Sequence, residues 1–237
     1  MDFGKTYQTL QSMTKPSTML EYGLHVERWN RVAFIARGKK RTPIELQHSF
    51  IAEEFKELVE ALEAGDKVEV VDAACDLFVV ASFAYHLYVG TSNKFTAVMH
   101  RPTPSRFSFG DLSFAIHGMP ISEDSTMEIL EQVVALCYLL DVNLDYNMKQ
   151  VLHSNDTKYP HRLDIEKLYA PGISSHEALR QECKAIEERS NGRYTGVYYR
   201  EVEDTPTPDI AGPRIVFFDS NGKIMKPSTF KEPVIVV

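Results

Sequence analysis

A chain of 237 residues, 43% hydrophobic and 25% charged, is long enough for a sizeable core and is balanced like a folded globular protein. No apolar run of about 18 residues is present to cross a bilayer. A pI near 5.6 argues against a nucleic-acid-binding protein, because phosphate backbones call for a basic face.

Residues 1–16 hold no firm pattern, and Met1–Tyr7 lacks the apolar run of a signal peptide. From about Met19 to Arg37, Leu20, Leu24, Trp29, Val32, Ala33, Ile35 and Ala36 recur at helical spacing, and Gly38–Arg41 breaks the pattern. Trp29 on that stripe reads as core. Thr42-Pro43-Ile44-Glu45 predicts a helix start, with Thr42 as cap and Pro43 at the first helical position. This second helix runs to about Ala64, with Leu46, Phe50, Phe55, Leu58, Val59 and Leu62 as its apolar side. Ala64-Gly65-Asp66 is a short turn, and Asp66 caps a third helix to about Tyr88. So short a link makes the two helices antiparallel neighbours.

Gly90–Pro120, with Pro102, Pro104, Gly110 and Gly118, reads as an irregular insertion. Ser125-Thr126-Met127-Glu128 predicts a capping box at the head of an apolar helix through Leu140, and a short helix comes next, from Leu144 to about His153. After Pro160 the chain changes character. Ser174-Ser175-His176-Glu177 starts a polar helix to about Arg189, and strands are expected near Val197 and Ile215. Asn221-Gly222 signals a hairpin turn with positive φ at both residues. The expected fold is mainly α: an antiparallel helical bundle over 1–160, with an insertion near 89–122, and a 161–237 extension carrying a small C-terminal β-hairpin appendage. Cys75, Cys137 and Cys183 have neither disulfide-scaffold nor zinc spacing, and read as buried free thiols in a reducing, cytoplasmic compartment.

The chemistry concentrates between Phe50 and Asp76. Nine acids there (Glu53, Glu54, Glu57, Glu60, Glu63, Asp66, Glu69, Asp72, Asp76) against Lys56 and Lys67 give 2 − 9 = −7, the formal charge of the whole chain. Glu53, Glu54 and Glu57 adjoin on one helical face, and Glu69, Asp72 and Asp76 form a stripe on the next. If the two stripes face each other, their repulsion raises each acid's pKa and weakens the fold unless cations bind between them. Hard divalent ions with oxygen ligands, Mg²⁺ above all, suit that place and a phosphate substrate. Charged helical stripes are also ordinary solvated faces: Glu60 and Glu63 read that way, Asp66 reads as a cap, and Glu69 reads as cap partner or ligand. Asp72 and Asp76 stand among residues that want burial, which points to a site. Ferritin-like di-iron chemistry needs two E-x-x-H motifs, and only Glu45-Leu46-Gln47-His48 is present.

Glu53-Glu54-Phe55-Lys56-Glu57, eleven residues, then Glu69-Val70-Val71-Asp72 resembles the all-α NTP pyrophosphohydrolase superfamily, the MazG-like and phosphoribosyl-ATP pyrophosphohydrolase-like enzymes. Three more stretches carry the resemblance: Asp72–Val80, Val151–Lys158, and Asn221–Pro227, the last similar to a tail of bacteriophage-type members. The resemblance implies cleavage of a nucleoside triphosphate between its α and β phosphates, giving monophosphate and pyrophosphate. It implies Mg²⁺, replaceable by Mn²⁺, on Glu54, Glu57, Glu69, Asp72 and Asp76. Glu53, Glu54 and Glu57 are then the catalytic acids, and one carboxylate, with Glu53 as first candidate, takes the water's proton. Asn155, Lys158, Lys223 and Lys226 are the implied contacts to the nucleotide or its phosphates. It further implies a homodimer or homotetramer, with Trp29 available to a neighbour's base pocket, and a host-cytoplasm location for a phage-encoded member. His153 and Asp156 depart from the family's basic residue and Met. A non-catalytic nucleotide- or metal-binding regulatory protein on the same fold is the alternative, against which every acid of the motif is retained.

Overall fold

The computed structural model describes residues 16–38, 40, 43–89, 107–203 and 212–237. They form helices α1 (Pro16–Ala36), α2 (Ile44–Ala64), α3 (Lys67–Val89), α4 (Phe109–Ser113), a π-helical turn (Phe114–Gly118), α5 (Glu123–Leu139), α6 (Leu144–Asp156), α7 (Arg162–Glu166) and α8 (Ser175–Arg189), then strands β1 (Tyr198–Val202) and β2 (Arg214–Phe218). The protein is mainly helical with a small two-stranded antiparallel sheet towards the C-terminus. No described helix is long and apolar enough to cross a membrane.

Packing divides the chain into two units that are not consecutive in sequence. The first holds the described residues up to Glu27, those between Thr42 and Leu152, and Pro233–Val237. Its core joins Tyr22 and Val26 of α1, Ile51, Phe55 and Leu58 of α2, and Val71, Leu77 and Phe78 of α3 to Ile129, Leu130 and Val133 of α5 and Met148 and Val151 of α6. Each such fully buried side chain stabilises the fold by roughly 1.5–3 kcal/mol relative to exposure. α3 is apolar nearly all round from Val70 to His86 and is buried accordingly.

The α2–α3 pair is a tight hairpin. Gly65 takes the left-handed conformation (φ 69°), its N–H reaching Leu62 O at 3.2 Å while that of Asp66 reaches Ala61 O at 3.1 Å. This paired bonding satisfies the last carbonyls of α2 and needs a residue tolerant of positive φ. Asp66 Oδ1 then accepts from the N–H groups of Val68 (3.1 Å) and Glu69 (3.2 Å), capping α3 as expected. Antiparallel packing results from the two-residue link, and far from it Gln47 Nε2 donates to Val80 O at 2.8 Å.

Several boundaries differ from the sequence expectation. Pro43 precedes α2 in extended conformation (ψ 141°) instead of opening it, with no side-chain cap bond, and the expected cap Thr42 lies outside the described residues. The buried side of α2 is Gln47, Ile51, Phe55, Leu58 and Ala61. Leu46 and Phe50 are only half-buried and Leu62 is 36% exposed, because Ala61, the smaller residue, is the one that meets the core. The expected irregular insertion contains α4 and the π-helical turn within its described part, and residues 90–106 lie outside the described residues. α5 opens three residues early. Ser122 Oγ accepts from Ser125 N, and Ser125 Oγ accepts from Ser122 N, so Ser125 closes the capping box it was expected to start.

The second unit holds the described residues between Arg28 and Arg41, and His153–Glu232. β1 and β2 pair in register, Tyr198 opposite Phe218 and Val202 opposite Arg214. Side chains alternate across the strand. Val216 and Phe218 join Val32, Ala33, Ala36 and Tyr159 in one cluster, and Ile215 and Phe217 join Leu179, Cys183 and Ile186 of α8 in another. Two strands alone are marginal in water, and burial on both faces is what stabilises this pair. The Asn221-Gly222 turn has positive φ at Gly222 (83°) alone, and beyond it the chain makes a single bridge, Ile224 to Phe218, instead of a third strand. Asp219 Oδ1 holds this turn by accepting from Asn221 N (2.9 Å) and Lys223 N (2.7 Å). All three cysteines are free and buried, as expected.

Candidate functional site

The acids of the hairpin are aimed by the apolar residues between them. Ile51, Phe55 and Leu58 are buried in the first unit's core, which turns the intervening positions outward: Glu53 and Glu54 are half-buried and Glu57 is exposed. On α3, Val71, Ala73, Ala74, Cys75 and Leu77 are buried, leaving Asp72 and Asp76 half-buried at the margin. Glu69 is exposed beside the Asp66 cap. Glu53, Glu54, Glu57, Asp72 and Asp76 each have a polar or electrostatic partner. Glu60 and Glu63 are exposed, Glu60 pairing with Lys56 at 3.2 Å, the solvated face expected of them. The negative edge reaches inward. Burial pushes the Cys75 thiol well above its ordinary range, with Cys137, Asp76 and Asp72 adding to the shift, so this thiol is unreactive in the folded chain.

The donor set is of the kind a hard divalent cation takes, all carboxylate oxygen on two rigid helices. Its gathering is a different matter: among the described residues, no group of three or more His, Cys, Asp or Glu side chains stands ready to hold a metal ion.

The other expected contacts belong to the second unit. Asn155 is buried near the end of α6, and its backbone O accepts the indole N–H of Trp29 at 2.8 Å. Trp29 is half-buried and stacks on Tyr159 with ring centroids 4.8 Å apart, so it is a packing residue here. Lys158 Nζ lies 5.7 Å from the Trp29 ring centroid and 5.8 Å from that of Phe230. Lys226 Nζ lies 4.4 Å from the same Phe230 ring and 3.2 Å from Glu232 Oε1. Two lysines from stretches far apart in sequence thus meet at one aromatic ring, within cation–π range. Lys223 stands apart, 5.8 Å from the Tyr194 ring.

Sequence reasoning misses Glu182. By its neighbours it reads only as part of a polar helix, yet its side chain is wholly buried and hydrogen-bonded to Tyr169 and Ser228. The signal is its position: Ala178, Leu179, Cys183 and Ile186 are buried on α8, and Glu182 falls on that same stripe.

Residues 37–94 match the sequence model of the phosphoribosyl-ATP pyrophosphohydrolase family, itself part of the all-α NTP pyrophosphohydrolase superfamily that includes MazG. The match covers less than half of the chain and includes all six acids of the two stripes. No curated protein and no solved structure matches the chain.

Proposed function

We propose that this protein is a Mg²⁺-dependent nucleoside triphosphate pyrophosphohydrolase, converting (d)NTP and water to (d)NMP and pyrophosphate. One observation carries the reading: Glu53, Glu54 and Glu57, with Glu69, Asp72 and Asp76, stand on two antiparallel helices inside the segment that matches a pyrophosphohydrolase family. Glu54, Glu57, Glu69, Asp72 and Asp76 would hold the metal, Mn²⁺ being an alternative to Mg²⁺. A bound ion supplies charge neutralisation for the triphosphate and a more acidic water. Glu53 accepts the proton of the water that attacks the α-phosphorus. The bond from that phosphorus to the α–β bridging oxygen breaks, and pyrophosphate leaves. Asn155, Lys158, Lys223 and Lys226 are proposed as contacts to the nucleotide or its phosphates, as fixed cations suit developing phosphate charge. Assembly into a homodimer or homotetramer belongs to the same proposal, and light scattering tests it.

The deciding experiment incubates the protein with each NTP, each dNTP and phosphoribosyl-ATP in Mg²⁺ and identifies products by phosphorus NMR. Monophosphate with pyrophosphate supports the reading. Diphosphate with orthophosphate, turnover of phosphoribosyl-ATP alone, or no turnover at all overturns it.

A further inference from the structure

Glu182 is a fully buried carboxylate whose charge the proposed chemistry does not use. Its Oε2 accepts the Tyr169 hydroxyl at 2.7 Å, and its Oε1 accepts the Ser228 N–H at 2.6 Å, the Ser228 hydroxyl at 2.9 Å and Arg189 Nη2 at 3.4 Å. Arg189 also donates through Nη1 to Ser228 Oγ and through Nη2 to Lys226 O at 3.3 Å. Burial, and then the hydrogen bond to Glu182, raise the Tyr169 phenol above its ordinary range, which keeps it a donor. Every bond on the tail side of this hub lands on Lys226 or Ser228.

The tail it holds, from Lys226 to Glu232, has no strand or helix of its own; one turn bond, Phe230 N–H to Pro227 O at 2.9 Å, lies within it, and its further anchors come from elsewhere. Ser154 Oγ donates to Lys231 O at 2.8 Å, and Lys231 N donates to Thr157 Oγ1 at 3.0 Å. The tail is therefore fixed at Ser228 by α8 and at Lys231 by the stretch that carries Asn155 and Lys158. Phe230 lies between the two anchors, and its ring receives both Lys226 and Lys158. A buried ionic group is seldom the most stabilising choice for a core, and in some proteins it instead fixes one geometry among alternatives.

We propose that Glu182 is a positioning residue: through Ser228 and Arg189 it sets the tail so that Lys226 joins Lys158 at Phe230 as a two-lysine site for a polyphosphate chain. This rests on the reading of these lysines as phosphate contacts. Glu182→Gln keeps the shape of the side chain and removes its charge, and Ser228→Ala is a milder second variant should the first fold poorly.

Three readouts test the proposal. Calorimetric binding of inorganic tripolyphosphate, which needs no turnover, weakens about tenfold in both variants. Hydrogen exchange at the Ser228 amide speeds up in Glu182→Gln while the interior amides of α8 stay protected. In the nucleotide assay KM rises more than kcat falls, and Glu182→Gln combined with Lys226→Ala is no worse than Lys226→Ala alone, since one residue acts through the other. Effects that multiply in the double variant, unchanged tripolyphosphate binding, or a wild-type chain that does not bind tripolyphosphate overturn the proposal. Tripolyphosphate binding without turnover of any nucleotide counts against the proposed reaction and leaves the positioning role standing.

Discussion

Acidic side chains of this protein occupy opposite extremes. Along the α2–α3 hairpin they stand half-buried or exposed at the margin of an apolar core, held out by the residues that flank them. In the second unit Glu182 is sealed off, and Tyr169, Ser228 and Arg189 take up its oxygens. The first arrangement leaves carboxylates that an arriving ion or substrate can reach. The second has committed its charge to the fold. Both are carboxylates, so solvent access is what separates a candidate ligand from a structural anchor.

That contrast can be broken by asking which measurement each acid moves. The largest effect is expected at Glu57 and Asp72: Glu57→Gln or Asp72→Asn lowers turnover by about two orders of magnitude or more, while the melting temperature holds or rises because repulsion is relieved. Near-wild-type turnover in either would remove that residue from the site. Glu182→Ala does the reverse, costing about 3 kcal/mol in urea denaturation because it empties a fully buried position and removes the acceptor shared by Tyr169, Ser228 and Arg189. A loss under about 1 kcal/mol would mean that water replaces the carboxylate. Asp66→Ala comes next, at about 1 kcal/mol for the lost α3 cap, with no direct effect on turnover. Lys56→Ala is the smallest, within about 0.5 kcal/mol, since the Lys56–Glu60 pair is largely solvated.

Much of the first unit can be read from the chain. The hairpin is legible because Gly65 and Asp66 interrupt two strongly periodic stretches and each has one evident conformational use. The capping motif before α5 is legible in kind and misplaced in position, because Ser122 and Ser125 both present a hydroxyl and only packing decides which one stands at the end. The inner face of α2 is rotated from expectation for a similar reason: hydrophobicity ranks Leu62 above Ala61, and the space against α3 favours the smaller side chain. Of the candidate site, the stripes can be drawn from helical spacing alone. The meeting of Lys158 and Lys226 at Phe230 cannot, since it depends on a tail held by single hydrogen bonds across more than seventy residues. Glu182 is hidden by its polar neighbours on α8, whose composition masks the one acid that faces inward.

The two-residue link between α2 and α3 also has a kinetic side. Helices joined so closely meet after a very short loop closure, so this hairpin is among the first tertiary structure the chain can form. It forms while carrying nine acids and two lysines between Phe50 and Asp76, and its closing is opposed by its own charge at every stage. Screening by salt relieves that opposition before any site exists to bind an ion. Refolding should therefore accelerate with ionic strength even in a monovalent salt, and the folding barrier of this protein carries the electrostatic signature of its candidate active site.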